Sequence, residues 1–516
     1  MAPWHWGHNG YNGSAFSQAA KNSLRFGHAG QASYYFGWEP PPAVEIYTHH
    51  PLLLHGHLVA SFSLFGAHEW SARLVPFFYS LATWLLLVVA VNRFWRERTA
   101  LFAGLAYALT PVTLTFANMV DHEQGGIFFS LLLVYAYLRW LETGTRSYAI
   151  LSGLAVTCAT QFDWPGYYVA FAVAAHCLLY GVRGRAPARW SVFLALFSAL
   201  TLLNFGFFFL WIHETRGGLG HMVDAFQLRN QVIPISDYLR LVWFRLYELY
   251  GPLLLGIAAV GSVVGLRNAR KSGLQARALL PLAFGFAGIV HIAAFPNAMQ
   301  LHAYWVYYWA PATAVGAAVG LDASVTWVKS FLSRRARRDF SEKGLAATVF
   351  VVFAFAQGSF AVVSWLDQLE RGHASDCEDC YFQRLERAWF VDLGNRFDDP
   401  YIRFAIHRSV QEPRIELRYY LDAPHREGAG LRGNRRNAIL LVDRTKVREE
   451  RQRLMDWRLR RHPHWVWMNR FYAIDLRRVG VSTATHYDPI EYDPSLAQWW
   501  LTTQNSDRPI RWKQSQ

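Results

Sequence analysis

The chain has few charged residues and few cysteines, and both shortages restrict what it can be. Only 17% of its 516 residues are charged and four are cysteines, whereas 53% are hydrophobic and 16% are aromatic. Four cysteines are too few for a disulfide framework. So apolar and aromatic a composition is not that of a typical soluble enzyme. The composition therefore predicts a polytopic membrane protein.

Sequence motifs for several kinds of chemistry are also missing. No G-x-G-x-x-G follows a strand pattern, and neither a phosphate-binding G-x-x-x-x-G-K-S/T nor an H-E-x-x-H is present. The net charge of +14 lies largely in short basic clusters between apolar runs, where the positive-inside rule places Lys and Arg. We therefore expect neither nucleotide-driven chemistry nor a nucleic-acid partner. The first 40 residues have no charged n-region followed by an apolar h-region, so no signal peptide is expected.

The four cysteines divide into two kinds. Cys158 and Cys177 fall inside apolar runs and are interpreted as packing residues. Cys377 and Cys380 form a C-x-x-C in a segment expected outside the cytoplasm, where such a pair can be oxidised. A second ligand pair at zinc-site spacing is missing, which argues against a zinc site there.

Ten apolar runs approach the length of a membrane span. They cover residues 73–92, 100–118, 125–141, 147–163, 165–181, 190–212, 249–266, 278–296, 303–321 and 345–365. Clusters of Arg and Lys occupy alternate loops, which are therefore predicted to be cytoplasmic. The N-terminal segment, the C-terminal segment and four polar loops then share the outer face. These loops are 121–126, 162–166, 213–248 and 296–302.

The predicted fold is an all-α polytopic membrane bundle of about ten spans, with interfacial helices on its outer face and a small C-terminal α/β domain. Runs at 414–421 and 438–442 have the pattern of strands, and 444–461 that of a basic helix. The predicted domains are an outer-face loop with interfacial helices, the transmembrane bundle and an extracytoplasmic α/β domain. Their boundaries are 1–72, 73–366 and 367–516.

A polar segment at 118–126 separates the apolar runs 99–117 and 127–138, and it contains Asp121 and Glu123. A carboxylate at the bilayer centre costs about 2.5–3.5 kcal/mol, so both are expected at a membrane surface or in a wet cavity. Such a D-x-E pair can bind a metal, orient a sugar hydroxyl or accept a proton. The alternative is that both carboxylates only hydrate a helix end.

Other outer-face residues are candidates for substrate binding. His49 and His50 precede a proline, where an imidazole can meet a phosphate or act as a base, or else only cap or pack. Arg216 and Arg229 are candidates for a lipid phosphate, since a guanidinium binds phosphate bidentately. They can equally meet anionic head groups. Asp163 is either a site residue or a turn former.

The N-terminal loop supplies two more candidates, because its aromatic side chains and polar groups suit a sugar pocket. His8 and Asn12 lie there, just before the amphipathic segment 15–26.

Several short motifs follow one another between residues 10 and 365. They are AKNSLRFG at 20–27, HHPLL at 49–53, FG at 65–66, EWSARL at 69–74, the span segment 103–109, TP at 110–111 and HAY at 302–304. Their order and spacing resemble the integral-membrane glycosyltransferases of the protein O-mannosyltransferase and aminoarabinose-transferase kind, including the bacterial galacturonosyltransferase-like branch. The last motif adds His302 and Tyr304 to the candidate substrate-binding residues.

The resemblance implies a C-type glycosyltransferase fold, a polyprenyl-phosphate-linked sugar donor and transfer on the extracytoplasmic side. The acceptor is then a lipid, glycan or protein at the bacterial inner membrane. The acidic motif of the second outer loop is kept as Asp121 and Glu123, which are the catalytic candidates. They are also the ligands of a divalent cation, if one takes part.

Two features depart from the family's pattern. Its first outer loop usually carries an Asp-Glu pair eight and seven residues before the alanine matched by Ala20, where this chain has Asn12 and Gly13. Asn cannot serve as a general base. The base is then Asp121, His50 or His8, or the reaction needs little base assistance, or the protein is inactive. The family's first span is also missing, which a start codon placed too far downstream would explain.

The leading hypothesis is therefore a membrane glycosyltransferase. Asp121 and Glu123 would orient or deprotonate the acceptor, while His50, with Arg216 or Arg229, would hold the departing phosphate. The alternatives are a transporter or flippase of a lipid-linked intermediate and an inactive binding scaffold.

Overall fold

The computed structural model describes most of the chain up to residue 373 and five strands beyond it. The described ranges are 8–27, 30–35, 40–231, 233–272, 275–300, 302–336, 339–373, 403–406, 438–443, 459–461, 464–467, 471–475 and 484–486. The chain divides into two compact units. One consists of Met1–Tyr34 and Pro41–His373, and the other of Tyr35–Pro40 and Ala374–Gln516.

In its described residues, the first unit consists of helices joined by connecting segments, with one isolated β-bridge between Gln31 and Tyr47. Its helices are α1 His8–Phe26, α2 Leu53–Phe65, α3 Glu69–Phe94, α4 Glu97–Ala108, α5 Pro111–Phe116, α6 Glu123–Thr143, α7 Arg146–Phe162, α8 Pro165–Val182, α9 Trp190–Arg216, α10 Gly220–Arg229, α11 Ile235–Tyr250, α12 Pro252–Ser272, α13 Leu279–Ala294, α14 Ala310–Ala336 and α15 Glu342–His373. Four short 3-10 segments lie at Ala43–Glu45, Gln275–Ala278, Ala298–Gln300 and Ala303–Trp309.

Five helices in the described residues are long and apolar enough to cross a membrane, namely α3, α6, α8, α9 and α15. The pair α11 and α12, bent by 100°, makes a sixth if it counts as one span. Large apolar side chains point outward from these helices; Phe355 of α15 is 78% exposed and Leu202 of α9 is 69% exposed. Lipid is the environment in which such faces are stable. The chain is thus a mostly helical, multi-pass membrane protein.

The sequence predicts ten spans, which is more than the five or six that the described helices support by length and composition. Each predicted span overlaps a helix, but several of these helices are short. The run 100–118 divides into α4 and α5 at Thr110, because Pro111 lacks an N–H and suits the first turn of a new helix. The run 303–321 begins as a 3-10 segment. The count of ten stays a prediction.

The stretch 213–248, expected to connect two spans on the outer face, consists of the end of α9 followed by α10 and α11. The apolar residues of α11 recur every four positions, so they form one stripe along the helix. Ile235, Leu239 and Trp243 of this stripe are exposed. The position of this stretch on the outer face stays a prediction.

The described residues of the second unit include a mixed five-stranded sheet. Its strands are β1 Arg403–Ile406, β2 Ala438–Asp443, β3 His464–Trp467, β4 Phe471–Asp475 and β5 Ala484–His486, in the order β1-β2-β4-β3-β5. The pairs β1/β2 and β3/β5 are parallel, and β2/β4 and β3/β4 are antiparallel.

Strand β2 lies where the sequence predicted a strand at 438–442. The predicted strand at 414–421 and the C-x-x-C at 377–380 lie outside the described residues, and only 459–461 of the predicted basic helix is described, as helix. The boundary of an α/β domain at residue 367 stays a prediction.

Candidate active site

Asp121 lies between α5 and α6 and is only 5% exposed. Its Oδ1 accepts a hydrogen bond from the backbone N–H of His122 (2.8 Å) and lies 3.1 Å from the Nδ1 of the same residue. Its Oδ2 accepts from the Asn12 amide at 2.5 Å. That amide also donates to the Tyr304 hydroxyl at 3.1 Å. Asn12 therefore connects α1 to the carboxylate and to the 3-10 segment 303–309.

Glu123 is the first residue of α6 and is 2% exposed. Within the described part of the chain, its Oε2 and the Nε2 of His122 are buried without a hydrogen-bond partner. Buried polar atoms are normally paired, so two open ones side by side in sequence suit a place where substrate groups enter. The alternative that Asp121 and Glu123 only hydrate a helix end is excluded by their burial.

Asp163, between α7 and α8, is a second buried carboxylate, only 1% exposed. Its Oδ1 accepts from the backbone N–H of Trp164 at 2.8 Å and lies 3.1 Å from the Nδ1 of His50. Its Oδ2 accepts from the hydroxyl of Tyr308 at 2.6 Å. Asp163 is thus more than a turn former, because it connects three separate segments of the bundle.

The two carboxylates belong to one cluster. The rings of His50 and His122 stack with centroids 4.3 Å apart and an angle of 18° between their planes. Asp121, His122, His50 and Asp163 therefore form a continuous series of contacts, which we call the acid–histidine cluster. It joins the loop between α5 and α6, the loop before α2 and the α7–α8 turn.

Two glycines allow this close packing. A Cβ on Gly126 would lie 2.6 Å from the Tyr308 hydroxyl, and a Cβ on Gly166 would lie 2.4 Å from the carbonyl oxygen of Ala159. Gly126 thus lets α6 approach the hydroxyl that holds Asp163, and Gly166 lets α8 fold back tightly on α7. Neither position has room for a side chain.

The cluster favours ionised carboxylates. Burial opposes the charge of Asp121, but hydrogen bonds from His122 and the nearby His50 hold its pKa below the usual value. Burial likewise opposes the charge of Asp163, but the hydrogen bond from His50 holds its pKa well below the usual range. Both aspartates are therefore hydrogen-bond acceptors at neutral pH.

His49, which precedes His50 in the sequence, belongs to a basic group with Arg229. The guanidinium of Arg229, on α10, is 3.1 Å from the Nδ1 of His49. Arginine can only donate, so this ring nitrogen accepts and the proton of the neutral imidazole is on Nε2. Burial and the charge of Arg229 lower the pKa of His49 to about 3. His221 stacks on His49 with centroids 5.9 Å apart and hydrogen-bonds Thr48.

The structure brings most of the predicted site residues together. The acid–histidine cluster contains Asp121, His50 and Asp163, and Asn12 and Tyr304 contact it. His302 lies beside them, with its Nδ1 2.8 Å from the Tyr304 hydroxyl.

One predicted residue, Arg216, stands apart from this group, and another, His8, cannot be placed. Arg216 donates to the backbone carbonyls of Ala43 and Val44, so in this structure it supports a loop. His8 is the first residue of α1, and its side chain lies outside the described residues.

Sequence reasoning missed four residues of the site. His122 and His221 complete the ring stacks, and Tyr308 holds Asp163. Arg73 is buried on α3 and donates to Asn9 (2.6 Å) and to the backbone carbonyl of residue 118 (3.3 Å), which supports the loop leading to Asp121. The signal for His122 was its position inside the D-x-E. Arg73 stood in the EWSARL motif, but Tyr308 had no signal within an aromatic run.

The predicted divalent cation finds no ready set of ligands. In the described residues, no group of three or more His, Cys, Asp or Glu side chains is placed to hold a metal ion. Both oxygens of Asp121 are already hydrogen-bonded to Asn12 and His122. The residues as placed do not fit a metal, and no step below uses one.

The described fold is similar to that of ArnT from Cupriavidus metallidurans in the apo state, with a TM-score of 0.56 and 14% sequence identity over 92% of this chain and 94% of that one. The chain has the fold of ArnT. The ArnT structure bound to undecaprenyl phosphate is similar too, with a TM-score of 0.55 and 15% identity over 90% of this chain and 93% of that chain.

Two further comparisons bear on the family. The archaeal oligosaccharyltransferase AglB from Archaeoglobus fulgidus, in complex with an inhibitory peptide and a dolichol-phosphate, matches with a TM-score of 0.51 and 12% identity over 90% of this chain and 70% of that one. Residues 49–211 match the sequence profile of the family described as dolichyl-phosphate-mannose-protein mannosyltransferase. No curated protein matches the chain. The resemblance to the integral-membrane C-type glycosyltransferases is confirmed.

Proposed function

We propose that the protein transfers a sugar from a polyprenyl-phosphate donor to an acceptor on the extracytoplasmic face of the membrane. The observation that carries this proposal is that two adjacent residues belong to two groups of different chemistry, one acidic and one basic. His50 belongs to the acid–histidine cluster, and His49 belongs to the basic group with Arg229. Glycosyl transfer needs both, because a proton leaves the acceptor while negative charge develops on the donor phosphate.

The basic group suits the departing phosphate. In the reaction, the acceptor atom forms a bond to the sugar's anomeric carbon, and the bond from that carbon to the phosphate oxygen breaks with its electron pair on the phosphate. Arg229 offers guanidinium donors to that oxygen, and the neutral His49 offers its Nε2–H. His221 stacks beside them. The ArnT structure with undecaprenyl phosphate and the AglB structure with dolichol-phosphate support a lipid-linked donor.

The acidic group suits the acceptor. Asp121 is fixed by Asn12 and His122, so it acts mainly by its charge and by holding its neighbours. Glu123 has one buried oxygen without a hydrogen-bond partner within the described residues, and in this proposal that oxygen accepts a hydrogen bond from the acceptor hydroxyl. The acceptor is then a lipid, a glycan or a protein that presents such a group, and the sugar is a hexose or a pentose.

The proposed topology has ten spans, with the site and the C-terminal domain outside the cytoplasm of a bacterial inner membrane. Ion pairs on the opposite side of the predicted bundle support it, since Arg96 and Arg98 both contact Asp322. Arginines at that end agree with the positive-inside rule. Arg146→Cys and Asp224→Cys, each made in a protein whose four native cysteines have been replaced, test the topology, since an impermeant thiol reagent added to intact cells should label only the cysteine at position 224.

The deciding experiment measures release of polyprenyl phosphate by the purified protein, incubated with a panel of polyprenyl-phosphate sugars and envelope acceptors. Release from one donor, lost when Asp121→Asn and Glu123→Gln are combined, would support the transferase and name its sugar. Glu142→Gln is the matched control, because Glu142 pairs with Arg93 and Arg139 away from the site. Thermal stabilisation by a donor without release from any donor would favour transport or inactive binding instead.

A further inference from the structure

His50 has the geometry of an imidazole oriented by a carboxylate. Its Nδ1 lies 3.1 Å from the Oδ1 of Asp163. The ionised carboxylate can only accept, so the proton of the neutral ring is on Nδ1 and the lone pair is on Nε2. The side chain of His50 is 20% exposed, whereas that of Asp163 is 1% exposed. The ring therefore reaches the open side of the site while its partner stays buried.

Two other positions considered for the base, Asn12 and Asp121, are engaged in hydrogen bonds of their own. Asn12 stands where the related transferases have an aspartate, and its amide donates to Asp121 and Tyr304. Asp121 in turn accepts from Asn12 on one oxygen and from His122 on the other. A carboxylate with both oxygens occupied is a poor base, because a proton would have to displace an existing hydrogen bond.

We propose that His50 is the general base of this reaction, oriented by Asp163, an inference that rests on the transferase function proposed above. Its Nε2 takes the proton of the acceptor hydroxyl as the new bond to the anomeric carbon forms and the bond to the phosphate oxygen breaks. The electron pair of the broken bond leaves with the phosphate. The exposed edge of the ring then returns the proton to water.

The surroundings stabilise the imidazolium formed in this step. Asp163 holds the Nδ1–H, as a carboxylate does in other acid–base sites, and the Asp121 carboxylate contacts the His122 ring that stacks on His50. Tyr308 is a positioning residue, because its hydroxyl fixes the second oxygen of Asp163. The titratable and charged groups that face His50 from the packed segments are Asp163, Tyr308, His122, Asp121, His291, Tyr47, and His49 with Arg229.

The first test compares the release of polyprenyl phosphate by His50→Gln and by wild type across pH. Wild-type turnover should fall as the pH is lowered, because protonated His50 cannot accept a proton. The variant should turn over about 10²–10⁴-fold more slowly than wild type. Its turnover should not fall further as the pH is lowered, and its half-saturating donor concentration should be unchanged. His57→Gln is the control, since His57 bonds to Tyr79 and a backbone carbonyl within α2.

Added imidazole should partly restore turnover to His50→Ala, which a purely structural histidine would not allow. Asp163→Asn should lower turnover with the same pH signature, and Tyr308→Phe should do so more weakly. If His50→Gln keeps wild-type turnover, or loses turnover with an unchanged pH profile and no rescue in His50→Ala, His50 is not the base. Wild type that transfers no sugar from any donor would instead overturn the transferase and this role together.

A second test does not depend on activity. In ¹⁵N-histidine NMR spectra of the full chain in detergent, assigned by difference with His50→Gln, the His50 ring should carry its proton on Nδ1 at high pH. In Asp163→Asn this preference should weaken. A ring that carries its proton on Nε2 in wild type would contradict the proposed geometry.

Discussion

The imidazole rings of His50 and His122 stack 4.3 Å apart, and each contacts a different buried aspartate. The ring stack therefore joins two acidic segments into one site. Asp163 is 113 residues from His50 in the sequence, whereas Asp121 is next to His122. Charge gained by one ring is felt by both carboxylates, since they lie on opposite ends of the same series of contacts. In such a site, buried carboxylates can stabilise an imidazolium although neither of them touches the acceptor.

Restoring the family's aspartate at position 12 should harm this protein. The Asn12 amide donates to Asp121 Oδ2 at 2.5 Å. In Asn12→Asp two carboxylates would meet there, and they cannot both ionise, so the pair would hold one proton. We expect lower sugar transfer and a lower melting temperature than wild type, with the deficit growing as pH rises from 5.5 to 7.5. Transfer and thermal unfolding at both pH values check this.

Asn12→Ser is the companion variant, because a hydroxyl still donates without adding a charge. It should lose less activity than Asn12→Asp and show no added pH dependence. Equal or higher transfer in Asn12→Asp would mean that Asp121 is not held as the structure shows.

Replacing Gly126 by alanine should disturb Asp163 from a distance. The new Cβ would lie 2.6 Å from the Tyr308 hydroxyl, which must move and so weaken its bond to Asp163. Forcing an added methyl group into a packed core costs about 1–3 kcal/mol. We expect a lower melting temperature and at least a roughly tenfold loss of transfer, measured with the donor found for wild type.

Gly285→Ala is the matched control, because among the described residues no side chain and no other segment lies within 4 Å of the position that its Cβ would take. Alanine there should leave transfer unchanged and stabilise α13 slightly, since glycine is the poorer helix former by about 1 kcal/mol. Equal effects of the two substitutions would show that the contact at Gly126 is unimportant.

Sequence patterns located the helices and the polar segment well, because both depend on local composition. The apolar runs on either side of Asp121 predicted where it would emerge, and Pro111 was visible where one run divides into α4 and α5. The contacts of the site were not predictable in the same way. His50 and Asp163 are 113 residues apart, and only the packing of α2, α7 and α8 brings them together.

The 3-10 segment Ala303–Trp309 shows the same limit. Its aromatic run is compatible with a membrane span, so it was interpreted as part of one. Tyr304 and Tyr308 are four residues apart and reach different carboxylate regions, one through Asn12 and one directly to Asp163. A hydropathy pattern contains no information about such polar contacts within an apolar run.

The stability of the protein should fall as the pH falls below neutral. The folded pKa of His49 is about 3, below its ordinary 6.5, so between these values the unfolded chain binds a proton that the folded chain does not. The free energy of unfolding therefore decreases as pH drops from about 6.5 towards 3. The lowered pKa of Asp163 adds a loss below about pH 4.

His49→Gln isolates the first contribution. Its melting temperature in detergent should depend less on pH between 7 and 4.5 than that of wild type, because the depressed histidine is gone. Parallel curves for the two proteins would show that His49 is not held neutral by burial and by Arg229.

Arg216 and Arg229 should behave differently when they are removed. Arg229 contacts the His49 side chain, whereas Arg216 is occupied by the carbonyls of Ala43 and Val44. If Arg229 holds the donor phosphate, Arg229→Ala should raise the half-saturating donor concentration about 10–100-fold, as loss of a hydrogen bond to a charged group implies. Arg229→Lys should recover only part of this, because a lysine cannot bind a phosphate bidentately. Arg216→Ala should mainly lower the melting temperature, and a shift in donor saturation as large as that of Arg229→Ala would place the phosphate between both arginines instead.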